Sequence, residues 1–210
     1  MIEYDLKQLD NPFKPSDIEW RVQQMGWNGE KPWAMVLAYV TNRAIMMRLD
    51  DVFGKMNWQN IYKEAPCGGV LCGISVKSNG EWVTKWDGAE NTAVEATKGG
   101  LSGAMKRCAV QWGIGRYLYN LEVGFADCSA TKVEGFTSAY DAKTKKKYFW
   151  NTPRLPKWAL PSPTNEEWEQ MISIANQSKE RAMAVTKRTN EEWNLNQTQK
   201  QELETILGNS

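Results

Sequence analysis

The chain has 210 residues, a formal net charge of +1, 41% hydrophobic and 24% charged residues, and no histidine. That length suits one domain with an appendage, or two small domains. Without imidazole there is no Ser-His-Asp or Cys-His catalysis and little zinc chemistry, and a near-neutral total means that any polyanion-binding surface must be a local patch. No apolar run approaches the roughly 18 residues that cross a bilayer. The acidic, polar start MIEYDLKQLDNPF is no secretory signal, and four irregularly spaced cysteines (Cys67, Cys72, Cys108, Cys128) read as free thiols of a reducing cytoplasm. The expected location is cytoplasmic.

In chain order, Ser16-Asp17-Ile18-Glu19 fits a capping box and predicts a short helix to about Met25. On that helix Arg21 has two readings, an ion-pair partner for Asp17 or a contact to a bound polyanion. Trp27-Asn28-Gly29-Glu30 is turn chemistry. The run WAMVLAYV (residues 33–40) fits a buried strand or the first turns of a helix, and periodicity does not separate them. Ile45, Leu49, Val52 and Phe53 make a helical stripe ending at Gly54, a natural C-cap.

Three strands follow, over residues 57–64, 70–77 and 81–87, the last two joined through Ser78-Asn79-Gly80, a tight-hairpin signal. Residues 92–121 then read as a helix studded with glycines, ending in Lys106-Arg107 and followed by Gly113-Ile114-Gly115-Arg116. Val94, Leu101, Met105, Cys108 and Trp112 form its apolar stripe. Its basic residues are Lys98, Lys106, Arg107 and Arg116, with no acid between positions 96 and 121. Glycine inside a helix costs about 1 kcal/mol relative to alanine. Gly99, Gly100 and Gly103 therefore signal close approach, of a packed strand first and of a phosphate chain second. Residues 135–140 and 146–150 predict one more hairpin, whose tip carries Lys143, Lys145, Lys146 and Lys147. That tip is a solvated loop or a second polyanion contact.

Four of eight prolines fall in residues 151–163, a stiff linker and domain boundary between a core (1–150) and a helical or partly disordered tail (164–210). TNEEW occurs twice, predicting helix starts at Thr164 and Thr189, and Thr198 with Gln201 predicts a third. Trp168 and Trp193 are packing residues or anchors for a partner. The fold class is α+β, an antiparallel three-to-four-stranded sheet packed on the glycine-rich helix with a helical tail. The eleven tryptophans have two readings, core and subunit packing throughout, or one or two of them presenting rings on which unpaired bases stack.

At WDGAENTAVEATKGGLSGAMKRCAVQWGIGRYLYNL (residues 86–121) the sequence resembles the phage relatives of the Rad-fifty-two recombination mediators, the Sak-type single-strand annealing proteins. The resemblance extends through IEWRVQQMGW, the segment from Tyr39 to Gly54, and FGKMNWQ, covering roughly residues 15–125 in consistent order. It implies a β-β-β-α unit assembled into a ring. Single-stranded DNA would lie in a basic groove, annealed without ATP or any cofactor or metal. By position it implies that Lys106 and Arg107 grip the DNA backbone, with Lys98 on the same helix and Arg21 and Tyr39 lining the groove. The family's further arginine is Val110 here, for which Arg116 is the candidate substitute. The implied partners are single-stranded DNA, further copies of the chain, and a single-strand binding or other recombination protein through the tail.

Two other functions compete. Asp87 and Glu90, with Lys85 or Lys98 nearby, would serve a metal-dependent nuclease; a plain single-strand-coating protein would protect DNA without speeding pairing. No GxxxxGK[ST] loop is present for ATP.

Overall fold

The computed structural model describes residues 4–66, 68–91, 96–122 and 124–209, and it divides into two compact units. The first comprises Met1–Asn11 and Asp17–Pro153, the second Pro12–Ser16 and Arg154–Ser210.

In the first unit, β1 (Ile18–Asn28) and β2 (Lys31–Val40) form a long antiparallel hairpin closed by Gly29, whose φ of 63° suits a residue without a side chain. The helix expected over residues 16–25 is therefore a strand. Where that helix was expected to open, Pro15–Asp17 makes a single turn of the 3-10 type, and β1 begins at Ile18. Val22 pairs with Val36 in the hairpin, and long-range pairing of β-branched and aromatic residues outweighs the local capping signal. The ambiguous run after it is a strand too.

Helix α1 (Asn42–Phe53) starts at Thr41, whose hydroxyl accepts from the Ala44 N–H, and stops at Gly54 with φ 76°. Ile45, Leu49 and Phe53 are buried on its inner side. Strands β3 (Trp58–Glu64), β4 (Val70–Ser78) and β5 (Glu81–Ala89) form an antiparallel sheet in sequence order. Asn79 and Gly80, both at positive φ, make the expected turn between the last two. Helix α2 (Ala96–Gln111) packs on β4 and β5 through Ala104, Met105, Cys108 and Ala109, all buried. The Ile74 N–H donates to the Cys108 sulfur at 3.3 Å, and that thiol donates to the Lys85 carbonyl at 3.1 Å. Val94 and Cys67 lie outside the described residues.

The helix glycines fit strands. A Cβ on Gly100 would lie 2.8 Å from Asn91 Oδ1 and 2.9 Å from Val70 Cγ2, and one on Gly103 would lie 3.1 Å from the Ala89 methyl. Close helix–sheet packing accounts for both.

One added strand and one further small sheet complete the unit. β6 (Gly124–Ala126) adds to β2, and β7 (Cys128–Ser129), β8 (Thr137–Asp141) and β9 (Lys146–Trp150) form a sheet in the order β7-β9-β8. The expected terminal hairpin is β8–β9. Ala34 and Val36 of β2 share an apolar core with Tyr148 and Trp150 of β9, so one face of the β1–β2 hairpin is packed against this sheet.

In the second unit, α3 (Asn165–Ala175) opens on the expected box, with Thr164 and Glu167 bonding reciprocally. Helix α4 (Lys179–Glu192) starts at Ser178 and runs through the second TNEEW. Thr189 is thus not a helix start: it is fully buried near the end of α4, its hydroxyl donating to the Thr186 carbonyl. The cap of α5 (Gln197–Asn209) is Asn196, which bonds reciprocally with Gln199, two residues before the expected Thr198. Trp193 is buried in this unit's core with Ala175, Ala182 and Leu203, a packing role. Phe13 of the N-terminal strap is buried, while Lys14 bonds Glu167 at 2.8 Å and sits 4.7 Å from the Trp193 ring. Part of the proline-rich segment is packed as well, with Ala159 and Leu160 buried. No described helix is long and apolar enough to cross a membrane.

Candidate nucleic-acid interface

Because side chains alternate along a strand, residues 33, 35, 37 and 39 of β2 share the face opposite the apolar core. Their register partners on β1 are Gly26, Gln24, Arg21 and Glu19. Arg21 and Gln24 are exposed there, and Met35, Leu37 and Tyr39 are half-buried.

At one end of this face the structure brings three of the expected site residues together. Glu19 lies opposite Tyr39. Its Oε2 accepts from Lys106 Nζ at 2.7 Å, and its Oε1 accepts from Arg21 Nε and Nη2 at 3.1 and 3.0 Å. Lys106 Nζ also stands 5.8 Å from the Tyr39 ring centroid. Partial burial pushes the Glu19 carboxyl up, but the Lys106 ammonium and Arg21 guanidinium outweigh it and hold it below the ordinary glutamate value. Two cations against one anion leave this cluster with a positive charge.

The two arms of the cluster differ. The Lys106 side chain is 12% exposed, so it ties α2 to β1 and contributes field more than reach. Arg21, at 55%, still faces solvent. Its partner is Glu19, two residues along the same strand face, and not Asp17 on a helix.

Arg107, one position after Lys106, turns to β5. Its Nε donates to Asp87 Oδ1 at 3.0 Å, and Gln111 Nε2 donates to Oδ2 at 3.3 Å. The side chain remains 57% exposed, leaving guanidinium edge for another acceptor. Burial raises the Asp87 carboxyl, but the Gly88 N–H, Arg107 and Gln111 overcome this and hold it low. Asp87 is thus occupied by structural partners. Among the described residues no group of three or more Cys, Asp and Glu is placed to hold a metal ion.

Lys98 and Arg116 stand apart. About two and a half turns separate Lys98 from Arg107, which puts the two on opposite sides of α2. Lys98 is exposed. Arg116 donates from Nε to the Val110 carbonyl and from Nη2 to the Gln111 carbonyl, each at 3.1 Å, and Lys85 Nζ adds 2.8 Å to the latter. These carbonyls end α2, so Arg116 satisfies the helix terminus and its charge complements the dipole there.

The sequence suggested a helix cap for Glu19 and a metal site for Asp87, and not that these two carboxylates position the cations. Both reach the cations of α2 from strands distant in sequence, although Glu19 is only two residues from Arg21. Glu19 was legible only once its segment is read as a strand, where positions i and i+2 face alike.

Comparison with known proteins bears on this arrangement. The family model of the Rad52/22 family double-strand break repair protein matches residues 2–136. The chain belongs to this family. The Rad52/22 match spans β1 to β7 with α1 and α2, and so holds every residue of the cluster, while β8, β9 and helices α3 to α5 lie beyond it. Two relatives carry the name single-stranded DNA-binding protein DdrA. That of Deinococcus radiodurans is 34% identical over 157 residues, covering 74% of this chain and 67% of its own. That of Deinococcus deserti is 28% identical over 163 residues, covering 74% and 69%. No solved structure matches this Rad52/22 family chain significantly.

Proposed function

We propose that the chain binds single-stranded DNA and anneals complementary strands without nucleotide hydrolysis, as an oligomeric ring serving homologous recombination in the manner of the phage Sak-type proteins. The observation that carries this reading is the Arg21–Glu19–Lys106 cluster beside Tyr39, with Arg107 next to it on α2. The name of the DdrA relatives supports the choice of ligand.

Annealing needs strands held by their phosphates with base edges left free. Arginine and lysine on rigid elements neutralise phosphate without reading sequence. Arg21 and Arg107 are the exposed arms of the site and meet the phosphates; Lys106 and Glu19 hold Arg21 and the field in place. Hybridisation is downhill, so the protein lowers only the encounter barrier and needs no catalytic residue. The tail recruits a second recombination protein in this account, through surface outside the buried Trp193.

Pairing of labelled complementary strands, followed without ATP, tests the reading. Wild-type protein should speed pairing, and Arg21→Ala with Arg107→Ala should abolish the gain. Binding without acceleration would assign a strand-coating protein instead, and magnesium-dependent cleavage lost on chelation would assign a nuclease. Electron microscopy of the purified chain tests the ring.

A further inference from the structure

The cluster occupies only one end of the open β1–β2 face. Toward the hairpin tip this face ends in an exposed aromatic pair: Trp33, 36% exposed, and Phe125 of β6, 65% exposed. Their ring centroids lie 6.1 Å apart, edge to face at 66°. Trp33 stands opposite Gly26, and a Cβ at that position would come within 2.7 Å of the indole. The absence of a side chain at Gly26 therefore lets the indole lie down across β1. Phe125 pairs with Met35, which puts it on the same face as Trp33, Leu37 and Tyr39.

Charge along the face suits a polyanion. Of the residues from 19 to 26 and 33 to 39 that point this way, Glu19 is the single acid, and it is already held by two cations. Lys31, exposed and two residues before Trp33 on the same side of β2, adds a positive charge at the tip. Six residues separate Tyr39 from Trp33, about 20 Å along a strand. Arg21 lies opposite Leu37, four residues or about 13 Å from Trp33, so a nucleic-acid strand fixed at Arg21 would reach Trp33 after about four nucleotides at B-form spacing, and after fewer when extended.

We infer that Trp33 and Phe125 form a base-stacking subsite for the same single strand that Arg21 and Arg107 hold by its phosphates. This rests on the proposed DNA-binding reading and adds a second kind of contact to it. Exposed rings accept any base by its π-face, so the subsite adds affinity without sequence preference. Stacking releases no counterions, so its contribution is independent of salt.

Fluorescence anisotropy of the full chain with oligo-dT of increasing length, across a salt series, tests this. Trp33→Ala should lose about tenfold in affinity on strands long enough to span the face, with the slope of log K against log salt unchanged. It should lose nothing on strands too short to span it, and Trp33→Phe should recover most of the affinity. Phe125→Ala, at an exposed ring, repeats the test should Trp33→Ala disturb the hairpin. Affinity within about twofold of wild type for both alanine variants would overturn the inference while leaving the phosphate site standing. So would a loss that coincides with breakdown of the oligomer, since it would make Trp33 a contact between copies. A wild-type chain that binds no single strand would overturn the underlying reading and this inference with it.

Discussion

Lys106 Nζ lies 2.7 Å from Glu19 Oε2, and through this one bond α2 is pinned to the first strand of the chain. The same carboxylate holds Arg21 by its other oxygen. Glu19 is therefore both the clamp of the cluster and its only opposing charge.

Glu19→Gln separates these roles. Removing the charge releases Arg21 and raises local potential, so affinity for single-stranded DNA should rise several-fold at low salt, with a steeper salt slope. Stability should fall by about 1 kcal/mol, because Lys106 is mostly buried and loses its counter-charge while Glu19 itself is partly solvated. Anisotropy titrations and thermal melts on the same preparation check both signs.

Acid should loosen this region. Glu19 and Asp87 both titrate below their ordinary values in the folded chain, which near 4.3 and 3.9 describe the unfolded one. The folded state thus binds fewer protons, and the stability contributed is fully present above about pH 5. It declines as pH falls through the unfolded values and is lost below the folded ones. Melting temperatures from neutral pH down to pH 3 should show this fall, and the Glu19→Gln, Asp87→Asn double variant should flatten it.

The two helix glycines should respond differently to alanine. Alanine favours helix by about 1 kcal/mol over glycine. At Gly100 the new methyl meets Val70 and Asn91 at under 3 Å, so Gly100→Ala should destabilise by about 1–3 kcal/mol despite that gain. At Gly103 the nearest atom is a methyl at 3.1 Å, and the two effects should nearly cancel. Denaturant midpoints compare them directly.

What was legible in the sequence follows from how local each signal is. The β3–β4–β5 sheet was readable because Asn79-Gly80 sets its turn within four residues, and α1 because Gly54 stops an apolar stripe. β1 was not. Ser16-x-x-Glu19 matches a helix start, and the strand exists because β2 pairs with it from beyond the Gly29 turn. The second TNEEW failed similarly, since Thr189 is held inside α4 by the unit's core. At the site, Lys106 and Arg107 were visible as a pair on one helix, whereas Arg21 and Glu19 of β1 and Asp87 of β5 join them through tertiary packing. That packing left Arg21 and Arg107 as the exposed arms, while Arg116, beyond the end of α2, folds back onto the terminal carbonyls of that helix.

The most direct test is the salt dependence of single-strand affinity in wild type and in the Arg21→Ala, Arg107→Ala double variant. With about four phosphate contacts per protomer the wild-type logarithmic slope should lie near −3, and the double variant should lose roughly 1.4 of it. An identical slope in both proteins would place the phosphates elsewhere and contradict the account.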